Sequence, residues 1–327
     1  MSSRICGTLC IFVCSFAAVS CGDSSGPPGL TLKDAAALAA DLEAVDHAVA
    51  STPLRSLSSL AIPINRGGID VHNMSTSLLG KSLEWNGVQR EVLFTDRAGA
   101  PAEAIRVYLY VTDSTNRPAY PPAEIGYADL YPYNTYNGGG PDSISLRFVV
   151  YDARPLSGPV VVGDFLAHSH ADTSCQCATV EGWVSDGTTR VDFTVPYNIP
   201  LGLDGQFPGS FMAPGVAFDH FATLPGPGVS TSTAKLTMAF AGDSITTTSG
   251  LLRPHANRLE GQATLAINGV YYATVSRTAT GSVTATGPNG RSMTSDETRA
   301  VSALFAVPAD IAYYIEWPTF VVFFCGC

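Results

Sequence analysis

Val180-Glu181-Gly182-Trp183-Val184-Ser185-Asp186-Gly187-Thr188-Thr189-Arg190-Val191-Asp192-Phe193-Thr194-Val195 reads as two strands folded about Asp186-Gly187. An Asp-Gly pair between two strand-forming runs is the strongest short-range hairpin signal, because both turn residues must tolerate positive φ. The arrangement recurs on either side. Leu83-Glu84-Trp85 and Val88–Phe94 flank Asn86-Gly87, while Ala263–Ile267 and Val270–Val275 flank Asn268-Gly269. Ile105–Thr112, Ser143–Ala153, Val160–Ala167 and Lys235–Ala241 add further strands. Strands joined by tight turns run antiparallel, and no alternation of strand with helix appears that would build a parallel sheet. The expected fold is mainly β: one large twisted antiparallel sheet, as a sandwich or a half-open barrel.

Helical periodicity is confined to two places. Thr31 can cap a helix with Asp34 three residues on, and Ala35, Leu38, Leu42, Val45 and Val49 then recur on one face over residues 31–50. A stripe of about two heptads suits docking on the body of the protein better than a coiled coil. The second place begins at Ser295 or Asp296, runs through Ala300–Phe305 and meets Pro308. A short helical turn around Asp310–Tyr314 follows, and Pro318 enforces an extended end, so Thr319–Phe324 is expected as a buried C-terminal strand. Two segments read as long irregular loops: residues 113–142, rich in Pro, Gly and Tyr, and residues 200–228, with Gly or Pro at 11 of 29 positions. In the first, Tyr120, Tyr127, Tyr131, Tyr133 and Tyr136 offer rings for a sugar or peptide, or for packing the loop onto strands.

The 327 residues carry 18 Lys and Arg against 28 Asp and Glu. An acidic chain without a basic cluster argues against nucleic-acid binding and against electrostatic docking on anionic lipid. Charged residues make up only 14%, with plentiful aromatic and β-branched residues, which excludes a disordered chain. After the leader, no apolar run reaches the ~18 residues of a membrane helix. An outer-membrane barrel is disfavoured because lipid-facing alternation is not sustained along the strands.

The first residues are an export signal in form. Arg4 supplies the charge, an apolar run from Leu9 to Val19 follows, and small Ser20 precedes Cys21. Ala18-Val19-Ser20-Cys21 resembles the lipobox of bacterial lipoproteins. That resemblance implies cleavage before Cys21, acylation of its thiol and insertion of the acyl chains into a lipid bilayer. Gly22 after the cysteine implies the outer rather than the inner membrane. Residues 1–20 are then the signal peptide, 21–30 a flexible tether with stiff prolines, and 31–327 one mainly β domain with its N-terminal helix.

Three constellations look like chemistry. Cys175-Gln176-Cys177 and Cys325-Gly326-Cys327 place two thiols each at strand spacing. In an oxidising compartment they are expected to form disulfides between the pairs, since a bridge within one Cys-x-Cys closes a strained ring. A tetrathiolate metal site has the donors but not the usual spacing. His168-Ser169-His170-Ala171-Asp172 resembles the His-x-His-x-Asp-His motif of the metallo-β-lactamase family, which implies a zinc-activated hydroxide. Thr173 stands at the motif's sixth position in place of His. Gly242-Asp243-Ser244-Ile245-Thr246 resembles the nucleophile block of the GDSL esterases, yet the later Asp-x-x-His pair of that family is missing and a strand-to-turn reading fits the neighbours better.

The chain is expected to be a non-catalytic, membrane-anchored envelope lipoprotein that binds an envelope protein or glycan partner or serves a structural role. The alternatives are an apolar-ligand carrier with a curved sheet around a cavity, and a metal-dependent hydrolase at His168, His170 and Asp172. No cofactor is expected.

Overall fold

The computed structural model describes residues 31–66, 76–114, 117–133, 143–171, 175–200, 205–224, 233–249, 253–255, 258–278, 282–287 and 290–316. The expected export signal with Cys21, the expected tether, Asp172, the strand expected at 319–324, Cys325 and Cys327 lie outside these residues.

Three helices and sixteen strands are described. The helices are α1 (Ala35–Val49), α2 (Thr52–Arg66) and α3 (Ser295–Ile311), the last continuing into a π turn, Ala312–Glu316. The strands are β1 (Ser82–Asn86), β2 (Glu91–Thr95), β3 (Ile105–Tyr110), β4 (Glu124–Tyr133), β5 (Ser143–Asp152), β6 (Val160–Ala171), β7 (Cys175–Ser185) and β8 (Arg190–Pro200). They continue as β9 (Gly205–Ala213), β10 (Val216–Leu224), β11 (Thr233–Phe240), β12 (Asp243–Ser249), β13 (Arg253–His255), β14 (Arg258–Ile267), β15 (Val270–Arg277) and β16 (Val283–Thr286).

One open sheet runs from β16 through β15, β14, β12 and then in sequence order from β11 down to β3, ending β1-β2, with β13 beside one end of β14. It is mixed rather than wholly antiparallel: β3 pairs parallel with β1 over Ser82–Leu83. Burial follows the two-residue period of the strands. On β8, Val191, Phe193, Val195 and Tyr197 are buried, while Asp192, Thr194 and Pro196 between them are exposed.

The buried face carries a row of phenylalanines in register: Phe148, Phe165, then Gly182, then Phe193, Phe211 and Phe218. Ring centroids lie 4.9 Å apart between Phe148 and Phe165, 5.9 Å between Phe193 and Phe211, and 5.4 Å between Phe211 and Phe218. Gly182 interrupts the row, and the flanking rings of Phe165 and Phe193 approach over it to 6.0 Å. A Cβ at Gly182 would stand 2.3 Å from the Asp164 carbonyl oxygen and 2.5 Å from Phe165 Cα. Only glycine allows β6 so close to β7.

The three helices cover this face in order along the sheet. α2 packs on β2–β5, α1 on β7, β8 and β10, and α3 on β11, β12 and β14–β16, with α1 and α3 against each other. Fifteen strands laid flat would span about 65 Å at ~4.8 Å each, whereas three helices at ~10 Å spacing cover about 30 Å. The sheet therefore curls around them, and Leu38, Leu42, Leu54, Leu60, Val301 and Leu304 fill its interior without exposure to solvent. Among the described residues no helix is long and apolar enough to cross a membrane.

Several expectations are corrected. α2 is a third helix: Leu54, Leu57, Leu60, Ala61 and Ile64 are buried along one face, and Pro53 sits in the first turn, where its missing N–H costs nothing. Ser56 Oγ joins α2 to the sheet by accepting from the Tyr110 N–H at 2.7 Å. Residue 34, not Thr31, caps α1, in a left-handed conformation and without a side-chain hydrogen bond. α3 runs through Pro308 to Ile311, and its start is a capping box in which Thr294 and Glu297 each bond the other's backbone N–H. The expected loop at 113–142 contains β4, and the one at 200–228 contains β9 and β10 joined by Pro214-Gly215.

The turns divide likewise. Asn268 and Gly269 form the expected two-residue turn, with φ of 52° and 77°. Asn86-Gly87 and Asp186-Gly187 instead open four-residue turns, since the last pairs are Asn86 with Glu91 and Ser185 with Arg190. In each, the acceptor oxygen of the first residue takes two N–H groups: Val88 and Gln89 for Asn86, Thr188 and Thr189 for Asp186. Side-chain capture of the backbone outcompetes the tighter turn.

Gly182→Ala tests the close approach of β6 and β7. It is expected to lower the stability of the domain by about 3 kcal/mol, the upper range for overpacking a core, read as a fall in the urea midpoint at unchanged slope.

Candidate functional site

The face of the sheet away from the helices is hollowed between β6 and β12. Two adjoining hollows of about 900 and 750 Å³ share Thr194, Ser210, Asp219 and Thr237, so they form one trough. Register explains its lining. Asp164, Trp183, Asp192, Met212 and Ala217 stand in one cross-strand row, and Leu166, Glu181, Thr194, Ser210, Asp219 and Thr237 in the next. Each is the outward neighbour of a buried residue. The ladder opens where Pro196 and Pro208 face each other, since neither has an N–H to give and pairing of β8 with β9 lapses between Thr194 and Asn198.

The trough combines apolar surface with carboxylates. Met212 is 63% exposed there. Arg147 grips Asp164 with two hydrogen bonds, 2.8 and 2.6 Å. Arg190 holds Asp192 at 2.6 Å and lies 4.6 Å from the ring centre of Trp183, covering one face of the indole. Ser210 Oγ donates to Asp219 at 2.8 Å. Glu181 has no hydrogen-bond or ion-pair partner among the described residues, and Asp219 has only the neutral Ser210 hydroxyl, so both carboxylates stand without a cation there.

The residues singled out from sequence are dispersed. His168 is on β6, its Nδ1 2.6 Å from Ser145 Oγ. His170 ends the same strand opposite Cys177, but the side chains of His170, Cys175 and Cys177 are outside the described set. Ser244 follows a two-residue turn, Ala241-Gly242, and its N–H donates to Asn268 Oδ1. The carboxylate before it, Asp243, accepts from Lys33 at 3.0 Å and from Asn268 at 2.8 Å. The block thus joins two antiparallel strands, unlike the strand-to-helix elbow of the esterases. Of the tyrosines expected on a loop, Tyr127, Tyr131 and Tyr133 stand on β4 and Tyr120 precedes it, while Tyr136 lies outside the described residues. Tyr127 is held between the Arg106 guanidinium, 3.7 Å from its centre, and the Tyr151 ring, 4.6 Å away.

The interior holds ionisable groups that sequence reading missed. His220 Nδ1 meets Glu316 Oε1 at 2.9 Å with both side chains fully buried. Where α1 and α3 meet β15, Arg277 Nη1 lies 3.7 Å from Asp310 Oδ1. Burial, and next the neighbouring Asp46 carboxylate, push Asp310 up to about 8 against the opposing pull of Arg277. At the start of α3, burial favours the neutral form of Glu297, but hydrogen bonds from Arg291, Tyr272 and the Thr294 N–H outweigh it and hold the carboxyl at about 2.

Comparison with protein-family models, with curated proteins and with solved structures finds no match to this chain.

A raised Asp310 favours the native state most below the ordinary Asp range, and that advantage is lost as pH rises from about 4 to about 8. Asp310→Asn, which mimics the neutral acid, should therefore unfold at higher urea than the native chain at pH 7. The gap should narrow as pH falls to 4 and close below it, where Asp310 is protonated both folded and unfolded.

Proposed function

We propose that this chain is a lipid-anchored protein of the bacterial cell envelope, held by acylated Cys21, that binds a partner protein in the outer trough and catalyses no reaction. The trough supports this reading best: a hollow on a sheet face, apolar around Trp183, Leu166 and Met212, with the carboxylate of Glu181 unpaired among the described residues. That surface complements a segment carrying a basic group among apolar side chains. A protein is favoured over a glycan because Arg190 lies across Trp183 and would have to leave Asp192 before a sugar could stack there. The bordering imidazole, His220, is buried with Nδ1 turned inward to Glu316, so among the described residues Ser210 has a carboxylate, Asp219, but no imidazole beside it. The carrier reading is less favoured, because α1, α2 and α3 fill the concave side of the sheet where an apolar ligand would lie.

Two measurements test the proposal. Cys21→Ser should move the protein from the detergent phase to the aqueous phase or leave it uncleaved; unchanged partitioning would remove the anchor. A photo-crosslinker at Met212 should yield one adduct of defined mass in cells, absent from a crosslinker at exposed Tyr271 and lost in Glu181→Lys. Equal adducts at both positions would remove the trough as the binding face.

A further inference from the structure

We propose, resting on the reading of the trough as the partner-binding face, that the partner enters it as an extended segment with two basic residues four apart, one meeting Glu181 and the other Asp219. Four carboxylates among the described residues line the larger hollow: Asp164, Glu181, Asp192 and Asp219. Two are already matched by arginines of the same sheet, Asp164 by Arg147 and Asp192 by Arg190. Glu181 and Asp219 are exposed and have no ion-pair partner among the described residues, and Asp219 keeps only the Ser210 hydroxyl. Lys235 stands one row away at the β11 end and likewise makes no ion pair among the described residues.

Register sets the distance between the two unmatched carboxylates. Glu181 pairs with Thr194, Thr194 with Ser210, and Ser210 with Asp219, so they stand in one cross-strand row, three strands apart. At ~4.8 Å per strand this is about 14 Å. An extended chain rises about 3.3 Å per residue and turns alternate side chains to one face, so residues i and i+4 are about 13 Å apart on the same side. In a helix, the position about 14 Å along the axis is about nine residues on at ~1.5 Å each, and it points half a turn away. The spacing therefore selects an extended segment laid across the strands. Apolar surface borders the row on both sides. Trp183 and Met212 stand two residues along the strands in one direction, and Pro196, Pro208 and Phe221 two residues in the other. The methylene stems of Lys or Arg lie along such borders while the charged end reaches the carboxylate. Residue i+2 falls over Thr194 and Ser210, where a small or hydroxyl side chain fits.

The test titrates two fluorescein-labelled peptides of one composition with the purified full chain in detergent at low salt, read by fluorescence anisotropy. Val-Arg-Val-Ser-Val-Arg-Val carries its arginines four apart, on one face of an extended chain. Val-Arg-Val-Ser-Arg-Val-Val carries them three apart, on opposite faces. The first should bind about 5-fold more tightly, the upper range for one exposed ion pair. Glu181→Gln and Asp219→Asn should each weaken it to a similar extent, and Glu181→Gln/Asp219→Asn should bind both peptides alike. Asparagine still accepts from Ser210, and circular dichroism checks the fold of each variant. Equal affinity of the two peptides for the native chain, a preference that persists in the double variant, or no binding of either peptide would overturn the proposal. The crosslinker at Met212 separates this failure from failure of the trough. A specific adduct there alongside equal peptide affinities would remove the spacing and leave the trough, whereas equal adducts at Met212 and Tyr271 would remove both.

Discussion

Between Phe165 and Phe193 the buried face of the sheet has no side chain, and the rings on either side close over the gap at Gly182. That contact couples the two faces of the protein. It draws β6 against β7 and aligns the aromatic row from Phe148 to Phe218 beneath the helices. The adjacent residue, Trp183, is thereby set on the opposite face. A shift of one residue in the β7 register would place Trp183 among the phenylalanines and Gly182 in the trough. The hydrophobic core and the candidate binding surface are therefore specified by one alignment.

The helices complete what the sheet alone cannot bury. Fifteen curled strands leave an inner surface too long for a single helix, and α2, α1 and α3 divide it between them. Their junction is not wholly apolar. Asp46, Arg277 and Asp310 meet at the α1–α3 contact, and His220 with Glu316 ties the π turn to β10. Buried ionisable groups of this kind add little net stability once desolvation is counted, and burial raises Asp310 toward its neutral form. They discriminate among arrangements, because any other seating of α3 would strand Asp310 and Arg277 without each other.

Much of the architecture was legible in sequence, and the failures share causes. Asn268-Gly269 turned as expected because both residues adopt positive φ, while Asn86 and Asp186 spent their side chains on the backbone and lengthened their turns. Pro132, Pro208 and Pro214 disguised β4, β9 and β10 as loops, although strands tolerate proline where the ladder lapses. α2 was obscured by Pro53 and Pro63, yet its Leu54-Leu57-Leu60-Ala61-Ile64 stripe was there to be read. The trough was not legible at all. It gathers Asp164, Trp183, Met212 and Thr237 from separate strands, and only register makes them neighbours.

The pairing of α1 with α3 also orders events in time. Most strands pair with the next in sequence, so the sheet can grow as the chain emerges. α1 cannot be covered in that way, because its partner begins at Ser295, far along the chain from Val49. At about 5–20 residues per second, synthesis leaves the Leu38-Leu42-Val45 stripe without α3 for some tens of seconds. During that interval the newborn chain presents the same apolar ridge that later lies at its centre. A holdase that shields this ridge until α3 arrives would protect the chain through that wait.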